Sequence, residues 1–588
     1  MTQSNGKAIW KARKAPDSSL EPFVLEFGKL LGPVLWARGF ATPNDDELTS
    51  FLDPKLQDIQ SPLLMLNMKE SIDRIVTAIQ KNEKICIYSD YDMDGIAGLS
   101  LLYSFFKACN VSNVTHFQPH RFDDGYGLHG TALEKLYNDG ARLVITVDTG
   151  TTAIEAIAHA NTLGLDVIIT DHHAQKETLP ETPWLINPNQ KTDTSDLGYL
   201  SGTGVAFYLC MALRQALREK NHFKDFPEPD LREWLDIFCL GTVGDVVDLR
   251  GDNRALIRTG LQYMAKTKRP GLSALLESTL AADQINRINT RDLAFSVIPK
   301  LNAASRMGKA ELSTQLLLTS FRDQAESLVS EILELNSQRS ATQDKIFEEA
   351  NFMASKQNEA GDHVIVVHGP WHEGVLGIVA AKLVENYACP AIVLGENHEG
   401  EFPVLRGSMR TPAPYSSLEL LSGAKESLIQ FGGHQAAAGM QLKLSEFSNF
   451  HTALNKTFAD KYIGQTEDLY VEQAYDAELG GPGEVSVQDV TSLSKAEPYG
   501  AGNPEPTFLL RNYPVENFTL LKEKHLKAKK SFGSPELIGF NLATSLHKLK
   551  ADGVKALDLL VVPELNIFRN QARPQLRIQH LRAAEAQL

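Results

Sequence analysis

Acidic and imidazole side chains stand directly after three short apolar runs of the chain. The runs and the residues that follow them are Lys84–Ser89 with Asp90, Asp92 and Asp94, Leu143–Val147 with Asp148, and Leu165–Thr170 with Asp171, His172 and His173. Carboxylates that gather closely repel one another unless a positive charge lies among them. Mixed carboxylate and imidazole ligation suits Mg²⁺ or Mn²⁺ better than structural zinc, which would draw on cysteine. The pattern therefore predicts a divalent-metal site.

The elements that must position these residues are predicted to be parallel β-strands. Each run is short and apolar, and stretches of helical character separate the runs, at Ile96–Cys109 and Thr152–Leu163. This alternation is typical of a βαβ sheet. Ligands of such sheets gather at the carboxyl ends of the strands. We therefore expect an α/β fold in which the three groups of side chains converge on one edge of the sheet.

The segment Asp90–Gly95 has two interpretations. Alternation along an extended backbone would place its three aspartates on one face, and its glycine would then allow an unusual turn into the next helix. The alternative is a calcium-binding loop, which needs a helix on both sides and a glutamate at its twelfth position. A strand precedes the segment here, so we favour the first interpretation. Asp245, which follows another apolar run, is expected to complete a site for two metal ions.

Length and charge limit the class of protein. A chain of 588 residues exceeds a single core and predicts three or four domains. The net charge of −15 argues against a general nucleic-acid binder, although it leaves room for a local basic groove. Lys522–Lys530 is one basic patch, for which a solvated loop is the favoured interpretation and nucleic-acid binding the alternative.

The sequence also predicts a cytoplasmic protein that does not enter a membrane. No apolar run is long enough to span a bilayer, and Met1–Ser19 is polar and lacks the apolar core of a signal peptide. The five cysteines are scattered and form no CxxC pair, which is typical of reduced thiols rather than disulfides or zinc ligands. They are Cys86, Cys109, Cys210, Cys239 and Cys389.

Changes in pattern divide the chain into five parts. The predicted parts are an N-terminal segment at 1–60, the first α/β domain at 61–225, a helical region at 226–358, a second α/β domain at 359–460, and a domain of short strands at 465–588. In the last part we expect a small β-barrel. In the helical region, Pro299–Gly308 is expected to be rich in turns.

One predicted helix is unusually long. Ser320–Gln357 keeps a near-helical apolar period with few helix breakers, and Ser320 with Asp323 is expected to cap its start. The helix would span roughly 50 Å at 1.5 Å per residue. It is either a rod that connects two lobes across a substrate groove or a packed helix of a bundle, and the sequence leaves both open.

Ordered motifs along nearly the whole chain resemble those of the DHH phosphoesterase superfamily, and within it the bacterial RecJ family of single-strand exonucleases. The motifs are Ser89–Gly95, Arg121–Leu128, Val147–Gly150, Asp171–His173, Asn187–Asn189, Ser201–Ala206, Gly241–Leu249, Asn302–Arg306, Trp371–Ile378, Arg406–Arg410, Gly432–His434 and Glu497–Pro506. Departures are small: Tyr88-Ser89 stands where the family often has a small residue or histidine, and Gly244 and Asp248 vary a familiar stretch.

The resemblance implies a fold and an activity. The fold is a parallel-sheet DHH domain joined by a long helix to a DHH-associated α/β domain, followed by an OB-like β-barrel. The activity is 5′ to 3′ degradation of single-stranded DNA to 5′-mononucleotides, in DNA recombination and repair, with a water activated by two Mg²⁺ or Mn²⁺ ions. Single-strand-binding protein and a RecQ-type helicase are implied as partners.

The resemblance also implies roles for individual residues. The implied metal ligands are Asp90, Asp92, Asp94, Asp148, His172 and Asp245. Asp148 and His172 are thereby part of the catalytic machinery, and His173 would lie beside the scissile phosphate. The implied phosphate- and DNA-binding residues are Arg121, Arg306, Ser408, Arg410 and His434.

Two other functions are compatible with a DHH-type site. One is hydrolysis of pyrophosphate, cyclic dinucleotides or short oligonucleotides, but this would not explain residues 470–588 or the Glu497–Pro506 motif. The other is a non-catalytic scaffold, which should have lost metal ligands, whereas this chain keeps them.

Overall fold

The computed structural model describes residues 9–122, 124–125, 127–398, 402–463, 472–528, 534–568 and 571–585. Asp123 and Tyr126 of the Arg121–Leu128 motif, and Lys529 and Lys530 of the basic patch, lie outside the described residues. Within the described ranges, no helix is both long enough and apolar enough to cross a membrane.

The first lobe is built on a five-stranded parallel sheet with the strand order β3-β2-β4-β5-β6. Its strands are β2 (Lys84–Ser89), β3 (Val114–Phe117), β4 (Ala141–Val147), β5 (Asp166–Thr170) and β6 (Leu185–Ile186). Its helices are α3 (Met68–Gln80), α4 (Met93–Ala108), α5 (Gly130–Asn138), α6 (Ile154–Leu163) and α7 (Gly202–Glu219). The predicted parallel α/β sheet is confirmed.

Helices continue the first lobe after α7. They are α8 (Leu235–Gly244), α9 (Gly251–Met264), α10 (Pro270–Thr279), α11 (Ala282–Ile285), α12 (Thr290–Asp292), α13 (Ile298–Arg306) and α14 (Ala310–Leu318). The prediction of turns over Pro299–Gly308 is wrong for most of that stretch, because Pro299 lies in the first turn of α13, where a missing N–H costs no hydrogen bond. Only Met307 and Gly308 form a turn after the helix, and Gly308 has φ of 78°.

The long helix α15 (Arg322–Ala360) has 39 residues and would span roughly 58 Å at 1.5 Å per residue. Leu328 and Ile332 lie in the core of the first lobe. Ile346 and Ala350 lie in the core of the second lobe. The helix is therefore a connecting rod that is anchored at both ends.

The predicted cap of this helix is wrong. The N-cap residue of α15 is Phe321, and no side chain bonds the first turn. Because the helix begins after Phe321, Ser320 stands one position too early to cap it. Thr319 accepts a hydrogen bond from the Phe321 amide instead, at 3.2 Å.

The second lobe is a five-stranded mixed sheet with the order β10-β11-β9-β8-β7, in which only β7 and β8 are parallel. Its strands are β7 (Ile365–Gly369), β8 (Ala391–Asn397), β9 (Val404–Arg410), β10 (Gln430–Gly433) and β11 (Ala437–Lys443). Its helices are α16 (Leu376–Tyr387), α17 (Ser417–Gly423) and α18 (Phe447–Tyr462). The sheet packs α15 and α16 on one face and α17 and α18 on the other.

The C-terminal domain is a seven-stranded sheet with the order β13-β14-β18-β19-β17-β16-β15. Its strands are β13 (Ala477–Leu479), β14 (Phe508–Pro514), β15 (Phe518–Leu521), β16 (His525–Ala528), β17 (Glu536–Gly539), β18 (Ala556–Phe568) and β19 (Gln571–Ala583). Its helices are α19 (Val487–Leu493) and α20 (Ala543–Ala551). The predicted strand-rich domain is thus present, whereas closure of its sheet into a β-barrel stays a prediction.

The N-terminal elements belong to the core of this C-terminal domain. They are β1 (Ile9–Ala12), α1 (Glu21–Ala37) and α2 (Asp46–Leu52). Strand β1 pairs in parallel with β12 (Glu472–Tyr475). Phe23 and Trp36 of α1 share one buried apolar cluster with Leu493 of α19 and Leu559 of β18. The first and last parts of the sequence therefore form a single packed unit.

Candidate functional site

The three aspartates after β2 converge through a change from strand to helix. Asp92 is the N-cap of α4, and its Oδ1 accepts the Asp94 amide at 2.9 Å. Asp94 already lies in the first helical turn, so the expected extended alternation is wrong. Its carboxylate accepts the amides of Gly202 and Thr203, at 2.6 and 2.9 Å, at the N-terminus of α7. A helix N-terminus stabilises such a negative charge.

Two glycines allow the carboxylates to lie this close to the backbone. Gly95 lies inside α4, so the predicted unusual turn at this residue is wrong. A Cβ atom at Gly95 would lie 1.9 Å from Asp90 Oδ1. A Cβ atom at Gly202 would lie 2.5 Å from Asp148 Cβ. The close approach of Asp90 and Asp148 therefore requires the two glycines.

His172 lies at the centre of the carboxylates. Its Nε2 is 3.1 Å from Asp148 Oδ1, 3.4 Å from Asp245 Oδ2 and 3.9 Å from Asp94 Oδ2. Three overlapping groups could each hold an ion, with ligand atoms within 4.8 Å of one another. The groups are Asp148, His172 and His173; Asp94, His172 and Asp245; and Asp90, Asp92 and Asp148. The structure thus brings together all six predicted metal ligands and adds His173.

The residues fit a bound cation. Asp148 Oδ1, His172 Nε2 and Asp245 Oδ2 are buried atoms without a hydrogen-bond partner among the described residues. A buried polar atom that has no partner is costly, and oxygen and imidazole donors in such a position match a hard divalent cation. The three atoms belong to overlapping groups, so they face a shared space. These residues therefore have the chemistry and the burial of metal ligands.

Without a cation, the carboxylates hold protons more tightly than usual. Burial, and then the charges of neighbouring aspartates, raise the pKa values of Asp90 and Asp148 well above the ordinary value. The same causes raise the pKa of Asp92. Burial and the charge of Asp94 raise the pKa of Asp245 to about 7. The mutual repulsion of carboxylates that was expected from the sequence is thus present in the folded chain.

Asp171 is a functional residue whose role the sequence reasoning missed. Its Oδ1 lies 2.7 Å from His173 Nδ1. Its Oδ2 accepts the Thr151 amide at 2.9 Å. Burial alone would raise the pKa of Asp171, but the hydrogen bond and charge of His173 hold it well below the ordinary value. In turn, Asp171 raises the pKa of His173 against the effect of burial. Asp171 therefore orients and charges His173.

A cluster of arginines lies where the two lobes meet. Arg306 of α13 donates to the Gly374 carbonyl of the second lobe at 3.2 Å. Burial, and then the charges of Arg121, Arg339 and Arg410, lower the pKa of Arg306 to about 10. Within the described ranges, none of these four arginines forms an ion pair with a carboxylate. Desolvated guanidinium groups without a counterion form an anion site, and their planar forks match phosphate.

Two basic residues of this cluster, Arg339 and Lys300, were not predicted from the sequence. Arg339 of α15 donates to Asn336 Oδ1 at 2.7 Å and to Gln343 Oε1 at 2.9 Å, and its buried Nε has no hydrogen-bond partner in the described part of the chain. Burial and the charge of Arg339 lower the pKa of Lys300. Arg339 stands within the near-helical apolar period of the long helix, and the period alone assigns no role to it.

The remaining predicted residues lie on the sheet of the second lobe. A Cβ atom at Gly377 would lie 2.7 Å from Arg410 Nη2 and 3.3 Å from Ser408 Oγ, so both side chains meet the start of α16. His434 lies on the exposed turn between β10 and β11, and its amide donates to the Ala437 carbonyl at 2.7 Å. Ala437 is paired with Arg410, which places this turn next to β9 but outside the contacts of the arginine cluster.

Family profiles match three parts of the chain. "DHH family, N-terminal domain" matches residues 84–242, "DHHA1 domain" matches 361–460, and "RecJ OB domain" matches 475–580. The single-stranded-DNA-specific exonuclease RecJ of Bacillus subtilis is 33% identical over 99% of this chain and 72% of its own length. The chain belongs to the RecJ family.

Other RecJ proteins agree over most of their length. RecJ of Dickeya dadantii is 33% identical over 90% of this chain and 93% of its own. The crystal structure of Thermus thermophilus RecJ in complex with Mn²⁺ has a TM-score of 0.80 and 26% identity, covering 99% of this chain and 80% of that one. The corresponding Mg²⁺ complex has a TM-score of 0.75. The predicted family and fold class are confirmed, including the OB-like C-terminal domain.

Proposed function

We propose that this chain is a metal-dependent exonuclease that degrades single-stranded DNA from its 5′ end to 5′-mononucleotides, in DNA recombination and repair. The observation that carries the proposal is the presence of two sites in the same chain, one suited to divalent cations and one suited to phosphate. Buried carboxylate and imidazole atoms that have no hydrogen-bond partner among the described residues form one, and desolvated arginines that repel one another form the other. A phosphodiester needs both, because its own charge must be neutralised before it is attacked. RecJ relatives are named as single-stranded-DNA-specific exonucleases, in support.

The proposed ligands of two Mg²⁺ or Mn²⁺ ions are Asp90, Asp92, Asp94, Asp148, His172 and Asp245. Two such ions would lower the pKa of water and stabilise the charge that develops in displacement at phosphorus. Asp148 and His172 each belong to two of the three groups that could hold an ion, and Asp148 is the proposed shared ligand because a carboxylate offers two oxygens whereas an imidazole offers one free nitrogen. RecJ crystal structures in complex with Mn²⁺ and with Mg²⁺ support the choice of metal.

His173 is the proposed general acid. The hydrogen bond and the charge of Asp171 raise the pKa of His173, which favours the imidazolium form that could donate a proton to the departing oxygen. Asp171 holds the ring through Nδ1 and thereby fixes its orientation. Arg121, Arg306, Ser408 and Arg410 are proposed to bind the terminal 5′-phosphate and so to set the direction of digestion. His434 and the open backbone at Gly439 are proposed to let a nucleotide approach β11 closely.

The test uses single-stranded DNA labelled at either end, with Mn²⁺ or Mg²⁺. The wild-type protein should release labelled mononucleotide from the 5′ end at once, and label from the 3′ end only late. Asp148→Ala should abolish release and leave the fold intact by circular dichroism. Asp166→Asn is a matched control, because Asp166 begins β5 at the far end of the sheet and pairs with Arg74 at 2.6 Å. Full activity of Asp148→Ala would refute the two-metal assignment.

The compartment, the partners and the domain boundaries are proposed as well. Four of the five cysteines are buried and all five are free thiols, which supports a reducing cytoplasm. Single-strand-binding protein and a RecQ-type helicase are proposed partners on the family resemblance. We propose the domain boundaries 1–60, 61–225, 226–358, 359–460 and 465–588, with the addition that 9–52 packs with the last domain.

A further inference from the structure

A cavity of about 510 Å³ lies in the first lobe, apart from the metal residues. Its walls are the end of α4, the turn Leu231–Trp234 with the start of α8, the end of α9, and the links that precede α10 and α15. Ligand pockets of proteins are roughly 300–1,000 Å³ in volume. The cavity therefore has the size of a site for one small molecule.

Helices α4 and α8 separate this cavity from the metal centre. Helix α4 begins beside the metal centre, at Asp92 and Asp94, and its last turn with Lys107 lines the cavity. Helix α8 runs the other way, from Asp236 at the cavity to its C-cap Asp245 at the metal centre. The stretch of α4 from Asp94 to Lys107 is roughly 20 Å long at 1.5 Å per residue. A ligand in the cavity would thus not occupy the metal centre.

Three aromatic side chains line the cavity. They are Tyr103 of α4, Trp234 ahead of α8 and Tyr263 of α9. Trp234 is held in place, because its Nε1 donates to Ser104 Oγ at 2.7 Å and its ring packs edge-on against Phe105. Both tyrosines are half-buried, and in the described part of the chain neither hydroxyl forms a hydrogen bond. These rings and hydroxyls suit a flat ligand that also carries polar atoms.

The lining of the cavity has more positive than negative side chains. Its charged residues are Lys107, Lys266, Lys268, Arg269, Glu233 and Asp236. Both acids already have partners, since Lys268 Nζ lies 2.9 Å from Glu233 Oε1 and Arg269 Nε lies 3.2 Å from Asp236 Oδ1. Among the described residues, Lys107 and Lys266 form no ion pair with a carboxylate. Two such lysines beside a cavity, in a chain of net charge −15, favour an anionic ligand.

We propose that this cavity binds a nucleoside 5′-monophosphate, at a site separate from the metal centre. A nucleotide joins a flat base to a phosphate, and the cavity joins aromatic rings to lysines without carboxylate partners. Lys107 Nζ already lies 5.4 Å from the centroid of the Tyr103 ring, so the base is assigned to the Tyr263 ring. Lys107 and Lys266 are assigned to the phosphate. The inference goes beyond the proposed function, and its ligand belongs to the class that the proposed reaction releases.

Calorimetric titration of the full chain with 5′-dAMP tests the site. EDTA keeps divalent ions from the metal centre, and saturating (dT)₂₀ occupies the surface that binds the DNA substrate. Under these conditions, one molecule of dAMP should still bind per chain. Deoxyadenosine and inorganic phosphate should each bind at least tenfold more weakly than dAMP, because each makes only part of the contacts.

Variants of the lining residues separate the two halves of the ligand. The double variant Lys107→Gln and Lys266→Gln should weaken dAMP binding about tenfold and leave deoxyadenosine binding unchanged, because only the phosphate loses its contacts. Tyr263→Ala should weaken the binding of both ligands about tenfold, as expected for the loss of one stacked base. Tyr263→Phe keeps the ring and should bind both ligands nearly as the wild type does.

The matched control is the double variant Lys81→Gln and Lys220→Gln. These lysines are exposed at the C-caps of α3 and α7, so their replacement removes the same charge away from the cavity. The control should bind dAMP as the wild type does. Arg410→Gln, in the arginine cluster, should also leave dAMP binding unchanged. Circular dichroism and binding of (dT)₂₀ report whether each variant keeps the fold.

The outcomes separate this inference from the proposed function. Absence of dAMP binding, or dAMP binding that (dT)₂₀ displaces or that the cavity variants keep, would overturn the site even in an active exonuclease. Inorganic phosphate that binds as tightly as dAMP would overturn the assignment to a nucleotide. Binding of dAMP that depends on Tyr263 and the two lysines, in a wild-type protein that cleaves no DNA, would support the site and overturn the proposed activity.

Discussion

Replacing Asp245 by asparagine is expected to stabilise the metal-free protein at alkaline pH. The pKa of Asp245 in the folded chain is about 7, against an ordinary 3.8, because burial and neighbouring carboxylates disfavour its charge. The folded state therefore binds the proton more tightly than the unfolded state does. Stability contributed by this group is present at low pH and is lost as the pH rises toward and through 7. Asparagine cannot ionise and removes this loss.

The magnitude follows from the two pKa values. Their difference corresponds to roughly 4 kcal/mol of unfolding free energy at pH 8, and to less than about 2 kcal/mol at pH 5. The larger figure is an upper limit, since interacting carboxyl groups share bound protons. The gap in stability between Asp245→Asn and the wild type should therefore widen as the pH rises from 5 to 8.

The assay is thermal and urea-induced unfolding in EDTA at pH 5, 6, 7 and 8. Asp171→Asn is a control of opposite sign, because His173 holds the pKa of Asp171 below its ordinary value. Removing that charge should destabilise the protein across the whole range. An Asp245→Asn protein that is less stable than the wild type at pH 8, or a gap that does not change with pH, would refute the reasoning. Mn²⁺ should stabilise the wild type far more than Asp245→Asn, by mass action.

Two further predictions concern the arrangement of the sites. Gly202→Ala should reduce the affinity for Mn²⁺, measured by calorimetry, by at least tenfold, because the added Cβ would lie 2.5 Å from Asp148 Cβ. Gly140→Ala is the control, since the space around its Cβ is open. This variant should lose some stability but keep the wild-type affinity for Mn²⁺. Arg410→Gln should lower kcat/KM about tenfold on 5′-phosphorylated DNA and much less on 5′-hydroxyl DNA; an equal loss on both substrates would point to folding instead.

The parallel sheet and the gathering of acidic side chains at one edge of it were predictable because both follow from local pattern. An aspartate directly after an apolar run marks the carboxyl end of the predicted strand, and parallel strands place their carboxyl ends at the same edge of the sheet. The details of the Asp90–Gly95 turn were not predictable in this way. An extended backbone would point the side chains of Asp92 and Asp94 to one face, whereas in the structure Asp92 caps α4 and Asp94 lies within it. The contact of Asp94 with Gly202 joins residues that are 108 positions apart in the chain.

The arginine cluster shows a different limit. Arg121, Arg306 and Arg410 came from the family resemblance, because a lone arginine carries no signal of burial. Arg339 could not be separated from the apolar period of α15, and its meaning depends on the lobes that the helix joins. The sequence placed Asp171 at the end of a strand but did not predict its hydrogen bond to His173. That bond joins residues only two positions apart and depends on how the backbone turns between them.

The packing of the first helices into the last domain has a consequence for synthesis of the chain. Arg38 bonds Asn503, 465 positions later. At about 5–20 residues per second, a ribosome needs roughly 25–90 s to cover that distance. During this time the apolar face of α1, with Phe23 and Trp36, has no partner from the C-terminal domain. The emerging chain thus carries an uncovered helix until its final strands arrive, and that interval is when chaperones would engage it.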